Sequence, residues 1–241
     1  MKDLRDEAVV LRTYRSGEAD RVVVMWTREH GKVRAIAKGV RKPTTRIGGA
    51  LEPLAEVSVF LGSGRGSLSI VRGVEQRVRR ATMHSSYDRL TAAMAIVEAV
   101  DAIPLDDVAD PEIFELLTRT LDTLDQEQFD PTLVPAAFFV RLLRHDGSEP
   151  IVTECVNCGS PGPLVAFDAA VGGTLCANCR SGRPISFEAI GLLQRIIGGD
   201  LATVLRESAP PGSAEVAALA HDAIESHLGR RLKVLRSSPS P

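Results

Sequence analysis

Residues 21–37 read Arg21-Val-Val-Val-Met-Trp-Thr-Arg-Glu-His-Gly-Lys-Val-Arg-Ala-Ile-Ala37. Residues 21–27 are β-branched and aromatic, the composition of a strand. Residues 32–37 alternate, which places Lys32 and Arg34 on one face of a second strand and Val33 and Ala35 on the other. Between them Glu29-His30-Gly31-Lys32 closes a hairpin, and Gly31 is the residue free to take positive φ.

Working outward, residues 8–14 (Ala-Val-Val-Leu-Arg-Thr-Tyr) read as a preceding strand, with Arg15 to Asp20 as the turn. Residues 54–61 and 67–74 read as two more strands around a turn at Gly62-Ser-Gly-Arg-Gly66. Five short strands in about 75 residues, three tightly joined and two after a long loop, suit a small barrel of the OB type.

After residue 80 the period changes from two to that of a helix. Tyr87, Leu90, Met94, Val97 and Val100 mark a helix over 85–102. Asp110-Pro111 is an N-cap and N1 pair that starts a helix over 111–124. Asp130-Pro131 repeats that signal for a helix ending near His145-Asp146-Gly147. Ser186 caps a helix through Ile197, and Ser213 opens a last one to about Leu228. The tail over 236–241 has the composition of a disordered end. The expected class is α+β and multidomain. Residues 1–80 form a five-stranded OB-type barrel, and residues 81–241 form an α-helical domain.

All four cysteines fall within that second part. They form two pairs, Cys155-Val-Asn-Cys158 and Cys176-Ala-Asn-Cys179, separated by 17 residues. That is the spacing of a two-knuckle zinc site. Each C-x-x-C turn can present two thiolates to one tetrahedral ion, and four thiolates close the coordination sphere, so the ion is structural. Leu164 to Phe167 and Val171 to Leu175 read as a hairpin between the knuckles, giving a zinc ribbon inserted at about 150–184. A redox C-x-x-C requires a thioredoxin-like context, which this sequence lacks. Two disulfides would suit a secreted chain, and no signal peptide is visible.

Net charge is −2 overall but split. Residues 1–80 carry 17 basic and 9 acidic side chains, a net of +8; residues 81–241 carry 12 and 22, a net of −10. A basic module suggests a polyanion as its partner. The loop after residue 37 holds Lys38, Arg41, Lys42 and Arg46 without an acid, beside Lys32 and Arg34. These six are the expected phosphate contacts. Trp26 and Phe60 sit in apolar strands and are expected in the core, which leaves Tyr14 as the ring available to a base. Arg141 and Arg144 share a helix face beside the apolar pair Phe138 and Leu142, with Arg119 on the preceding helix. These five form an expected site for an acidic partner peptide.

No Walker A, H-E-x-x-H, G-x-S-x-G or Rossmann fingerprint occurs, and no nucleophile–base pair can be assembled. A non-enzymatic role is expected. No apolar run reaches the ~20 residues of a membrane span, and the cytoplasm is the default compartment.

The chain resembles the RecO recombination-mediator family. The resemblance rests on Val10-Leu-Arg-Thr-Tyr-Arg-Ser-Gly-Glu-Ala-Asp20, on Thr27-Arg-Glu-His-Gly-Lys-Val-Arg-Ala-Ile-Ala-Lys-Gly-Val-Arg-Lys42 and on Gly48-Gly-Ala-Leu-Glu-Pro53. A helical domain with a four-cysteine insertion continues the likeness. It implies an OB-fold that binds single- and double-stranded DNA, anneals complementary strands and helps load recombinase onto strands coated by single-strand-binding protein. It implies RecR and the acidic C-terminal tail of that coating protein as partners, and association with the nucleoid during repair. The reading from another class is a zinc-ribbon adaptor that binds only protein. The charge of the barrel discriminates, because an adaptor has no need of +8 there.

Overall fold

The computed structural model describes residues 4–40, 47–64, 68–104 and 108–235. Arg41, Lys42, Arg46 and the 236–241 tail lie outside the described residues. The chain divides into two compact units. One comprises Met1–Ala81 with Val100–Asp122, the other Thr82–Ala99 with Thr123–Pro241.

The first unit is a closed barrel of β1 (Leu4–Ser16), β2 (Asp20–Thr27), β3 (Gly31–Ala37), β4 (Glu56–Gly62) and β5 (Ser69–Val78). Strand order is β1-β2-β3-β5-β4, and β1 pairs again with β4 to close the ring. β1 achieves this by length and a bend. Its 13 residues pair with β2 over Ala8–Ser16 and with β4 over Leu4–Val9, and the register slips between Val10 and Arg12. A bulge adds twist at that point, which lets one strand serve two neighbours.

Ala8, Val10, Val23, Met25, Ala35, Ala37, Val57, Val59 and Leu61 fill the interior. The alternation expected in β3 holds: Val33, Ala35 and Ala37 pack inward, and Lys32 and Arg34 lie on the other side. β2 reads as a continuous apolar run because its outer residues are buried as well. Residues after Val100 cover part of that outer face. The Trp26 indole N–H donates to the Asp110 carbonyl at 3.4 Å. Gly31 has φ +61°, and a Cβ there would sit 2.1 Å from the Val108 carbonyl oxygen, so only glycine fits. Trp26 is 4 % exposed, as expected of a core ring, but Phe60 is 42 % exposed. The apolar content of β4 does not decide which face Phe60 takes; its neighbours Val59 and Leu61 hold the inward positions.

The helices are α1 (Ala81–Ser85), α2 (Tyr87–Ala102), α3 (Pro111–Leu124), α4 (Val134–His145), α5 (Phe187–Ile197), α6 (Leu201–Val204) and α7 (Ser213–Leu228). Asp110 caps α3 as its sequence predicts, accepting the Ile113 N–H at 3.0 Å. Ser186 caps α5 through the Ala189 N–H at 3.2 Å. Asp130-Pro131 does not start α4. Asp130 instead accepts the Thr132 N–H at 2.8 Å in a local turn, and the helix begins at Val134 with Pro135 in its first turn. In the second unit α4 packs on α7, with α5 against both. Arg89 ties down the stretch before α4 by donating to the carbonyls of Leu124, Gln126, Glu127 and Phe129 at 2.8–3.1 Å. The ribbon is a three-stranded sheet of β6 (Leu164–Asp168), β7 (Gly173–Cys176) and β8 (Arg183–Pro184) in the order β7-β6-β8. Among the described residues no helix is long and apolar enough to cross a membrane.

Candidate metal centre and nucleic-acid face

Two knuckles bring the four cysteines together. In the first, the Gly159 N–H donates to the Cys155 carbonyl and the Cys155 N–H to the Ser160 carbonyl, both at 2.8 Å. Gly159 has φ +70°, which turns the chain back after Cys158. In the second, at the end of β7, the Cys179 N–H donates to the Cys176 carbonyl at 3.2 Å.

All four sulfurs lie within 4.8 Å of one another, and Cys158 Sγ is 3.8 Å from Cys176 Sγ. Four sulfurs about 2.3 Å from a tetrahedral ion stand roughly 3.8 Å apart. The donor set therefore fits one divalent ion in a closed four-thiolate site. No pair is a disulfide; the cysteines are free thiols.

The thiols are not equivalent. The Cys176 N–H directed at Cys155 holds that thiol down at about 6, so it is a thiolate at neutral pH. Sharing with Cys158, together with burial, pushes Cys179 up to about 12. The Ser160 N–H pulls Cys158 down, but its contacts with Cys155 and Cys176 outweigh this and raise it. A pocket of thiols competing for limited negative charge is what a cation relieves.

The barrel presents a second arrangement. Arg12 on β1 aligns with Val24 on β2, and Val24 with Arg34 on β3; one step along, Tyr14, Val22 and Ile36 form the next row. The Arg12 guanidinium lies over the Tyr14 ring, 5.6 Å from its centroid, and an Arg34 N–H donates to the Tyr14 hydroxyl at 2.8 Å. Arg12 is also anchored by Asp101, 2.5 Å from its Nε. Tyr14 is 36 % exposed, and Lys38 stands exposed at the end of β3. The structure thus brings Tyr14 and Arg34 together. It adds Arg12, a residue that the cross-strand register identifies and the list of loop cations does not.

Lys32 does not join them. It is 8 % exposed, its amine donates to the Asp101 and Ile103 carbonyls, and it lies 3.3 Å from the Asp101 carboxylate. The segment after Val100 covers this end of the strand face, so Lys32 is a buried structural cation with no path to a phosphate.

The expected peptide site is not assembled either. Phe138 and Leu142 are each 1 % exposed and belong to the core of the second unit, so they offer no apolar stripe. Arg144 is committed to Glu149 at 2.5 Å and to the Ile197 carbonyl at 2.8 Å. Arg119 belongs to the first unit and pairs with Glu115 at 3.3 Å. Arg141 alone remains, exposed and without an ion-pair partner among the described residues.

Residues 1–77 match the family model described as Recombination protein O N terminal, and residues 84–236 match the one described as Recombination protein O C terminal. The chain is 37 % identical over 241 residues to the DNA repair protein RecO of Cutibacterium acnes, with 97 % of each chain covered.

Proposed function

The chain belongs to the Recombination protein O family, and from that membership we propose that it acts in recombinational DNA repair as a non-enzymatic mediator. It binds single- and double-stranded DNA, anneals complementary strands and helps load recombinase onto strands coated by single-strand-binding protein. The observation that carries the reading is the convergence of Arg12, Tyr14 and Arg34 on the open part of the barrel face. Cations beside an exposed ring offer charge to phosphates and an aromatic surface to a base. Lys38 adds an exposed cation at the end of β3, and Arg41, Lys42 and Arg46 follow it in the sequence. Annealing needs no covalent step, only screening of the repulsion between two strands held close together.

The ion at Cys155, Cys158, Cys176 and Cys179 is a single structural Zn²⁺, supported by a soft, closed four-thiolate donor set. RecR and the acidic tail of single-strand-binding protein are the protein partners, with exposed Arg141 as a cation for the tail. The protein works in the cytoplasm, at the nucleoid during repair.

A salt titration of binding to single- and double-stranded DNA tests the central claim. Each phosphate contact contributes about −0.7 (single strand) to −0.9 (duplex) to the slope of log K against log[salt]. The double change Arg34→Ala with Lys38→Ala flattens the slope by roughly 1.4 to 1.8. An unchanged slope and affinity would place DNA elsewhere or leave the zinc-ribbon adaptor as the better reading.

A further inference from the structure

We propose that α7 carries a second divalent-metal site, apart from the cysteines, formed by His221, Asp222 and Glu225. A ring nitrogen of His221 and one carboxylate oxygen from each acid lie within 4.8 Å of one another. His221 and Glu225 are four residues apart and share a helix face. His221 Nε2 is 3.7 Å from Glu225 Oε1. Two ligands about 2.1 Å from a first-row ion, seen at tetrahedral or trigonal angles, stand roughly 3.4 to 3.6 Å apart. The His221–Glu225 pair stands close to that separation.

An independent observation points to a ligand here. His221 is 8 % exposed, and its Nε2 is enclosed with no hydrogen-bond partner. The 3.7 Å to Glu225 is too long for a hydrogen bond. A neutral imidazole leaves either a donor or an acceptor unmet in such a place, and burying one costs stability. A divalent cation uses all three groups.

Both acids are held from outside the cluster. Glu225 Oε1 accepts the Leu232 N–H at 2.5 Å, and Asp222 Oδ2 accepts from Arg183 at 3.0 Å. Such outer hydrogen bonds orient metal-binding carboxylates. One imidazole with two carboxylates suits Zn²⁺ or Mn²⁺ and not a soft ion such as Cu(I). The ion acts as a clasp. Through Glu225 it stiffens the attachment of the segment after Gly229, whose Lys233 and Val234 N–H groups also rest on Glu98 at 2.9 Å.

The test uses the untagged full-length chain, first loaded with one equivalent of Zn²⁺ and then titrated calorimetrically with Zn²⁺ and, separately, Mn²⁺. The wild type takes up one further equivalent. His221→Gln lowers the affinity for that second equivalent at least tenfold. So does Asp222→Asn, which lies nearer the surface and preserves the fold should His221→Gln disturb packing; circular dichroism checks both. Uptake of only one equivalent by the wild type overturns the site. So does unchanged second-equivalent binding in folded Asp222→Asn or His221→Gln protein.

Discussion

The Lys32 amine and the Asp101 carboxylate lie 3.3 Å apart, each side chain only 9 % exposed. A buried pair of this kind contributes little over a well-packed apolar pair, but removing one member strands the other. Asp101 keeps Arg12 as a second partner, which moderates the loss. Lys32→Ala therefore destabilises the first unit by about 3 kcal/mol, the lower end for breaking a buried pair. Chemical denaturation measures this. The salt slope of DNA binding stays unchanged, because Lys32 touches no phosphate. Lys32→Met combined with Asp101→Asn recovers most of the stability, and a double-mutant cycle reports the coupling. A flattened salt slope in Lys32→Ala would return this lysine to the DNA face.

Tyr14 separates ring from hydroxyl. Its hydroxyl accepts from Arg34, while its ring lies beneath Arg12. Base stacking on an aromatic side chain contributes about 1 to 3 kcal/mol. Tyr14→Phe keeps the ring and binds single strands nearly as the wild type does, whereas Tyr14→Ala loses roughly five- to 150-fold. Duplex affinity is affected less, since its bases are already stacked. Fluorescence anisotropy with labelled oligonucleotides resolves the two variants. Equal losses for Phe and Ala would mean that the tyrosine only positions Arg34.

The barrel and the four-cysteine cluster were legible in the sequence because each rests on local patterning. Alternation in β3 and the β-branched runs of β1 and β2 require no distant contact to read, and two C-x-x-C turns bring their own geometry. What the sequence hid depends on contacts between distant segments. Lys32 looked like a surface cation until the residues after Val100 were laid over it. Phe138 and Leu142 show the same apolar spacing whether they face a groove or a core, and burial decides for the core. Arg12 emerges only from the register linking it through Val24 to Arg34. The pair His221 and Glu225 was readable by its spacing of four.

Arg195 joins two carboxylates on the second unit, Glu207 at 2.6 Å and Asp200 at 2.8 Å. Glu207 is held below its ordinary value of 4.5 by Arg195. Asp200 is held below 3.8, first by Thr203 and then by Arg195. Glu207, and in turn Asp200, raise Arg195 above its usual range. A carboxylate depressed on folding contributes stability above its unfolded pKa and loses it as pH falls through the folded value. Arg195→Ala is therefore less stable than wild type at pH 7, and the gap closes progressively below about pH 4. The three side chains are roughly two-fifths exposed, so added salt also narrows the gap at pH 7. Denaturation curves at pH 7 and pH 3 give the comparison. A gap that persists unchanged at pH 3 would assign the loss to packing of the arginine stem.

With the proposed ion bound, the four-cysteine cluster would supply most of the stability of the ribbon. Its own buried apolar set is small, centred on Ala166 and Leu175 with Leu164 beside them. Structural zinc contributes on the order of 10 to 16 kcal/mol in small finger peptides, far more than such a core can. Cys176→Ser removes one of the four ligands, 3.8 Å from Cys158, and therefore abolishes stoichiometric metal retention. It also exposes the amides of β6 and β7 to hydrogen exchange. Those of β1 to β5 keep their protection, because the barrel has its own core. A chelator acting on the wild type reproduces the same pattern. Elemental analysis of freshly purified protein and hydrogen-exchange mass spectrometry measure the two effects. Cys158 and Cys179, both held above the ordinary thiol value, are protonated at neutral pH and must release their protons to a metal. Affinity therefore rises with pH, and loading at pH 7.5 in weak buffer acidifies the solution by at least two protons per ion. Protein that purifies without metal, or a ribbon equally protected after the Cys176 change, would remove the ion from the account of this fold.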